Sequence, residues 1–145
     1  MESNEQAGQE RLNENFTDNT IHDIGVASQM GSFSDAIEVA SGQRWLFTSG
    51  IPGLSQKGDL PNNIKEQSVL AWENISTLLK AAGMTVGDIV KVTQYLTQVE
   101  NIQEYAKIRK CYLCDVKPAS TLLITPQLGW PNMLVEVEVI AAKKA

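Results

Sequence analysis

The stretch that decides the fold is residues 64–96, IKEQSVLAWENISTLLKAAGMTVGDIVKVTQYL. Apolar side chains recur at three- and four-residue spacing in its first part, which predicts an amphipathic helix over residues 64–82. Asn63 followed by Glu66 is typical of a helix start, and Gly83 is typical of a helix end. The remainder of the stretch is rich in β-branched and aromatic residues, which predicts that a strand follows the helix.

Outward from this stretch, the sequence predicts two short strands that form a hairpin, a second helix and two further strands. They are the strands at 36–39 and 45–48, a helix that Asn101 and Glu104 open, and the strands at 117–125 and 134–142. This order predicts an α+β fold in which both helices pack on one face of a mixed sheet.

The last of these strands alternates valines with Glu136 and Glu138. Alternation of this kind predicts that one face of the strand is buried while the other meets something polar. A sheet with helices on one face leaves its second face uncovered, and a mixture of apolar and acidic side chains there favours a subunit interface with polar pockets.

Composition limits the kind of protein. The chain has 145 residues, 43% of them hydrophobic, which is enough for one domain at residues 26–145, preceded by a polar, mobile tail at residues 1–25. A net charge of -5 without a basic run argues against nucleic acid or an anionic membrane as partner. Two cysteines and no signal-peptide pattern predict a cytoplasmic protein.

Five blocks of sequence together resemble the YjgF-type or reactive intermediate deaminase (Rid) family, some members of which carry the name endoribonuclease L-PSP. The blocks are LFTSGIP at 46–52, QSVLAWENISTLLKAAG at 67–83, DIVKVTQYL at 88–96, KPAST at 117–121 and LVEVEVIA at 134–141. They occur in the order and at the spacing of the family, over about residues 30–142. Five ordered blocks are more specific than one short motif.

The resemblance implies a chorismate-mutase-like subunit, three of which form a barrel-like homotrimer with a ligand cleft at each subunit boundary. In active members of the family this cleft hydrolyses imines and enamines to a carbonyl compound and ammonia. The resemblance implies neither a metal nor an organic cofactor, and the expected partners are the other subunits and a small-molecule ligand.

The same resemblance assigns site residues. The acid thought to position the attacking water falls on Glu136, the expected catalytic residue. The backbone that lines the cleft falls on Ser49, Gly50 and Ile51. The arginine that grips a substrate carboxylate in the family falls on Ser120, so this chain lacks an arginine at that position.

Other positions of the site have also become smaller or less polar. The expected substrate-binding residues here are Phe33 in place of an aromatic hydroxyl, Thr121, Leu122 and Trp130, and a helix asparagine falls on Ala106. Loss of a bidentate arginine–carboxylate pair costs about 2 to 5 kcal/mol of binding by comparison with truncated charge pairs at interfaces. The resemblance therefore predicts altered specificity, towards a less charged and bulkier ligand.

Each of these residues also has a simpler interpretation. Glu136 can be an interface carboxylate that is satisfied by hydrogen bonds, without a catalytic role. Its spacing from Glu138 superficially matches a glycosidase pair, but no aromatic sugar-binding set surrounds it. Arg44 and Lys91 could replace the lost cation, although the strand pattern favours surface positions for both.

The remaining reactive side chains favour structural roles. Cys111 and Cys114 have a CxxC spacing, yet they lie near a helix C-terminus, where the helix dipole does not activate a thiol. His22 is the only histidine and lies at the edge of the polar tail. No convincing metal site follows from these residues.

Two functions remain open at this point. The first is an enzyme that hydrolyses an imine, an enamine or a related conjugated C=N compound. The alternative is a non-catalytic trimer that binds a small metabolite or a protein partner in the same cleft. A ribonuclease or translation inhibitor is a distant third, because the chain is acidic and lacks a basic patch.

Overall fold

The computed structural model describes residues 19–145. It contains seven strands, three helices and two short 3₁₀ turns within these residues. In chain order they are β1 (Thr20–His22), α1 (Ala27–Met30), β2 (Ala36–Glu38), β3 (Gln43–Phe47), β4 (Ile51–Pro52), α2 (Ile64–Ala81), a 3₁₀ turn (Val86–Asp88), β5 (Ile89–Leu96), a second 3₁₀ turn (Val99–Asn101), α3 (Ile102–Leu113), β6 (Ala119–Ile124) and β7 (Val135–Lys144).

The main sheet has five strands and is mixed. Its order is β3-β7-β5-β6, and β4 pairs with β7 beside β3. The β5–β6 pair is parallel, and β7 is antiparallel to its neighbours. The long strand β7 therefore lies inside the sheet, where its outward side chains are displayed on a rigid support.

The two long helices, α2 and α3, pack on the same face of this sheet. The core between them and the sheet is fully buried and apolar, with Trp72, Ile75 and Leu79 from α2 and Val135, Val137 and Val139 from β7. The α+β arrangement predicted from the sequence is confirmed, and so is the alternation in the last strand. The face of the sheet that the helices leave uncovered is called the open face below.

The ends of α2 follow the predicted capping. The side chain of Asn63 accepts a hydrogen bond from the backbone of Glu66 at 2.9 Å, and Asn63 Nδ2 donates to the Glu66 carboxylate at 3.0 Å. Gly83 has a φ of 69°, the left-handed conformation that ends the helix. By contrast, α3 begins without a side-chain cap, because Asn101 has helical backbone angles and donates to Gln98 instead.

The predicted hairpin between the first two strands is wrong. β2 pairs antiparallel with β1, with Ile37 opposite Ile21, in a separate two-stranded sheet, whereas β3 pairs with β7. The partner of β2 lies at Thr20–His22, inside the segment interpreted as a polar tail, so the sequence pattern gave no reason to expect a strand there. Residues 1–18 of that predicted tail lie outside the described residues.

The backbone that follows β4 makes a close contact with α2. A β-carbon added at Gly53 would lie 2.2 Å from the backbone oxygen of Gln67. The buried Gln67 amide in turn donates to Asn132, at 3.0 Å, and accepts from the backbone of Leu134, at 2.8 Å. This glutamine therefore ties the loop before β7 to the helix.

We expect Gly53→Ala to lower the free energy of unfolding by about 1 to 3 kcal/mol, because the backbone of α2 cannot yield to the added methyl group. Gly129→Ala is the matched control, since a β-carbon there meets nothing within 4 Å. Chemical denaturation of both variants measures the two free energies of unfolding. Equal values would contradict the predicted clash between residue 53 and the backbone of α2.

None of the helices in the described part of the chain is long and apolar enough to cross a membrane.

Candidate functional site

Glu136 lies near the start of β7 and points to the open face. Its Cα is paired with Pro52 of β4 on one side and with Tyr95 of β5 on the other. Gly50 lies directly under the carboxylate, because a β-carbon added there would be 3.0 Å from Glu136 Cδ and 3.1 Å from one of its oxygens. Any side chain at position 50 would therefore push the carboxylate aside.

A bulge places this backbone beneath Glu136. The β3 ladder ends where Phe47 pairs with Ile140, and the β4 ladder begins where Ile51 pairs with Val137, so residues 48–50 face only two residues of β7. Thr48 fixes the bulge, because its backbone donates to Val139 at 3.0 Å and its hydroxyl accepts from the Val139 backbone at 3.0 Å. Ser49, Gly50, Ile51 and Glu136, which are called the Glu136 group below, thus come together as the sequence predicted.

The surroundings of Glu136 favour its neutral form. Partial burial raises the pKa of its carboxyl above 4.5, and the negative charge of Glu138 on the same face raises it further. The hydroxyl of Tyr95 donates to Glu138 at 3.0 Å, and this hydrogen bond raises the pKa of the phenol. A raised pKa makes the Glu136 carboxylate a stronger base than an ordinary glutamate, as the abstraction of a proton requires.

The shifted pKa predicts a pH-dependent stability difference. Because the folded-state pKa of Glu136 is raised, the stability that its neutral form contributes is present below the unfolded-state pKa and is lost as pH rises through the folded-state value. Glu136→Gln should therefore match the native protein at low pH and become the more stable of the two as pH rises. Urea denaturation across this range measures the difference.

Glu100→Gln is the control for this pH series, since Glu100 is exposed in the 3₁₀ turn before α3. Its stability relative to the native protein should not change in the same way with pH. A gap between Glu136→Gln and the native protein that narrows with rising pH would contradict the assigned direction of the shift.

The second part of the candidate site is a cavity of about 630 Å³ between α3, the edge strand β6 and the segment around residue 31. Phe33, Ser120, Thr121 and Leu122 line it, four of the residues predicted to bind substrate. Ala106 lines it as well. Arg109 of α3 also lies in its wall, and we call this space the Arg109 cavity.

A buried glutamine holds Arg109 in place. Gln94 Oε1 accepts hydrogen bonds from the Tyr105 hydroxyl at 2.8 Å and from Arg109 Nη1 at 3.0 Å. Gln94 Nε2 donates to Ser120 Oγ at 3.0 Å, and Arg109 Nη1 lies 3.3 Å from the same oxygen. Burial raises the pKa of Tyr105, which keeps its phenol neutral and able to donate. The guanidinium thus lies beside Ser120.

Within one chain, the Glu136 group and the Arg109 cavity are on opposite faces of the sheet. Glu136 shares its face with Tyr95, its partner in β5, whereas Ser120 is paired with Val92, which is fully buried under the helices. The strands β7 and β6 are also separated by β5, a lateral distance of about 10 Å. A small molecule cannot touch both within one subunit.

The other residues singled out in the sequence lie apart from these two places. Trp130 is 48% exposed in the loop before β7 and is not among the residues that line the cavity. His22 is exposed and lies 3.2 Å from Glu38 across the β1–β2 pair. Arg44 donates to the carbonyl of Ala82.

The structure also defines the positions of Lys91 and the two cysteines. Lys91 Nζ donates to Thr121 Oγ1 at 2.7 Å and is not in the cavity wall. Cys111 and Cys114 are both exposed, and Cys114, whose φ is 52°, ends α3 at the cavity wall. Among residues 19–145, no group of three or more His, Cys, Asp or Glu side chains could hold a metal ion.

Sequence reasoning missed Arg109, although a signal was available. In α3, Ile102, Tyr105, Arg109 and Leu113 recur at three- and four-residue spacing and form the stripe that faces inward. A charged residue on such a stripe is unusual, because burying it needs hydrogen-bonding partners. Arg44 and Lys91, the two cations that the sequence offered as replacements, both lie on strands and not in the cavity wall.

Comparison with known proteins identifies the family. The family model for endoribonuclease L-PSP matches residues 25–143. The chain belongs to this family. Among its relatives, a RutC family protein of Aquifex aeolicus is 35% identical over 117 residues, which cover 79% of this chain and 90% of that protein.

Two further comparisons involve TdcF of Escherichia coli, which is named as a candidate reactive intermediate deaminase. TdcF is 33% identical to this L-PSP family chain over 120 residues, which cover 80% of this chain and 90% of TdcF. A crystal structure of TdcF with bound serine matches the fold with a TM-score of 0.66 at 26% identity, and the match covers 79% of this chain and 91% of that one. The resemblance to the Rid family is confirmed.

Proposed function

We propose that this protein hydrolyses an imine, an enamine or a related conjugated C=N compound to a carbonyl compound and ammonia. The observation that carries the proposal is the position of the Glu136 carboxylate directly over Gly50 at the bulge, with a raised pKa. An acid of this kind can hold a water molecule against a substrate that lies along the Ser49–Ile51 backbone.

The chemistry needs water and proton transfers at Glu136. The Glu136 carboxylate accepts a proton from water while the water oxygen bonds to the carbon of a protonated C=N group, so that the nitrogen becomes a neutral amine; an enamine reaches this form by taking up a proton from solvent at carbon. Glu136 then passes its proton to that amine, the C–N bond breaks as ammonia leaves, and the hydroxyl proton is released to the Glu136 carboxylate and on to solvent as the C=O bond forms. No metal or organic cofactor enters these steps.

The site is proposed to form between subunits of a homotrimer. Glu136 and the Arg109 cavity cannot meet within one chain, so a second copy has to bring its cavity to the Glu136 group. The open face has exposed aromatic and aliphatic side chains suited to such a contact, namely Trp45, 50% exposed, Phe47, 67% exposed, and Leu123, 44% exposed. The rings of Trp45 and Phe47 stack with centroids 6.0 Å apart, which resembles the aromatic enrichment at interface cores.

The second candidate is a non-catalytic trimer that binds a small metabolite or a protein partner in the same cleft. It is favoured by the serine at position 120, where the resembled family has an arginine. A ribonuclease is not proposed in spite of the family's name. The only histidine is exposed beside Glu38, and the net charge of -5 does not suit RNA binding.

Ammonia release from freshly generated imines, both carboxylated and neutral, tests the proposal. The native protein should release ammonia from at least one of them faster than buffer alone, and sedimentation should give the mass of a trimer. If no compound of the panel gave ammonia and a ligand raised the melting temperature, the results would favour the non-catalytic binding protein instead.

A further inference from the structure

We infer that Arg109 has taken over the anion-binding role that an arginine at position 120 would have, so that the Arg109 cavity selects ligands with one carboxylate and an apolar body. This inference deepens the proposed function, since the cavity would hold one end of the same substrate. It reverses the expectation, drawn from Ser120 alone, that the ligand is less charged.

No carboxylate of the described residues neutralises the charge of Arg109. Within residues 19–145, no carboxylate lies within 4.0 Å of its guanidinium. Lys110 also lines the cavity, whereas none of the residues recorded in its wall is Asp or Glu. In a chain with a net charge of -5, a partly buried cavity with two cations and no acid attracts an anion.

The donors that a carboxylate needs are free. Nη1 makes both hydrogen bonds that the guanidinium forms with described residues, so Nε and Nη2 remain available. Ser120 Oγ receives hydrogen bonds from Gln94 Nε2 and Arg109 Nη1, which occupy its two lone pairs and leave its own proton to donate. A carboxylate in the cavity can therefore accept from both Arg109 and Ser120.

The rest of the wall defines the other end of the ligand. Phe33, Ile102, Ala106, Leu113 and Leu122 contribute apolar side chains. A volume of about 630 Å³ accommodates a small branched or aromatic body. A dicarboxylate or a phosphate ester would leave charge against this apolar wall, which is costly.

The test compares a charged probe with a neutral one of the same shape, 3-methylbutanoate and 3-methylbutanamide, by NMR titration of the full chain. The native protein should bind the acid at least roughly 10-fold more tightly than the amide, because charge-assisted hydrogen bonds are about twice as strong as neutral ones. Arg109→Gln should abolish this preference and weaken binding of the acid by roughly 30-fold. Lys107→Gln removes a charge from an exposed position of the same helix and should change nothing.

Two more variants keep the test decisive if Arg109→Gln does not fold. Arg109→Lys retains the charge and should retain part of the preference for the acid. Ser120→Asp places a carboxylate against the guanidinium, so it should abolish that preference with the arginine still present. Equal affinity of the native protein for acid and amide, or a preference that survives both Arg109→Gln and Ser120→Asp, would overturn the inference.

Failure of the anion site and failure of the proposed imine hydrolysis can be distinguished by experiment. The titration with 3-methylbutanoate measures binding alone, so it does not depend on whether the protein hydrolyses any imine. Binding of the acid without hydrolysis of any imine would support the anion site and contradict the proposed enzymatic activity. Hydrolysis of neutral and carboxylated imines at equal rates, with no effect of Arg109→Gln, would support the proposed enzyme and overturn the anion site.

Discussion

Glu136→Gln is expected to lower the rate of imine hydrolysis by a factor of about 100 or more, as expected when a general acid-base is lost. The substitution keeps the size and the hydrogen-bonding capacity of the side chain over Gly50, so the fold and the assembly should not change. The rate of ammonia release and the sedimentation coefficient measure the two effects separately.

The matched control for this loss is Glu100→Gln, which removes one carboxylate from an exposed turn of the same protein. It should hydrolyse the substrate at the native rate. If Glu136→Gln retained the native rate as well, Glu136 would be an interface carboxylate without a catalytic role.

Gln94→Leu is expected to lower the free energy of unfolding by about 2 to 4 kcal/mol. The side chain of Gln94 is fully buried. Its loss leaves the Tyr105 hydroxyl without its acceptor and leaves Arg109 Nη1 with Ser120 Oγ alone, at about 1 to 3 kcal/mol for each lost hydrogen bond. Arg109 would also lose the contact that orients it, so the preference for a carboxylate should fall. Denaturant unfolding and the titration of acid against amide check the two consequences.

Gln103→Leu makes the same chemical change at an exposed position of α3 and should be close to neutral. A Gln94→Leu variant as stable as Gln103→Leu would show that the hydrogen-bonded network around Gln94 contributes little to the fold.

Much of the fold could be predicted because its main elements have strong local signals. The periodicity of α2, its Asn63 cap and the β-branched run of β5 depend on neighbouring residues only, and all three match the structure. The pairing of β2 could not be predicted from local signals, since β1 has only three residues and all three are exposed. The missing cap of α3 has a similar cause, because a 3₁₀ turn already holds Asn101 in a helical conformation.

The candidate site was predictable only in part. The Glu136 group comes together as expected because it lies on two strands that are paired within one chain. Arg109 was missed because its relation to Ser120 depends on how α3 packs against the edge strand, which spacing along the sequence does not reveal. In the proposed trimer the Glu136 group meets the Arg109 cavity of a second subunit, and no pattern within one chain defines that geometry.

Mixing two inactive variants tests the central claim most directly, namely that Glu136 of one subunit and Arg109 of its neighbour act on one substrate. Glu136→Gln and Arg109→Gln should each hydrolyse a carboxylated imine slowly when it is supplied below its KM. After co-refolding in equal amounts, random trimers would contain intact clefts at about a quarter of their boundaries, so about a quarter of the native rate should return. A mixture no faster than the average of the two variants would contradict the shared site.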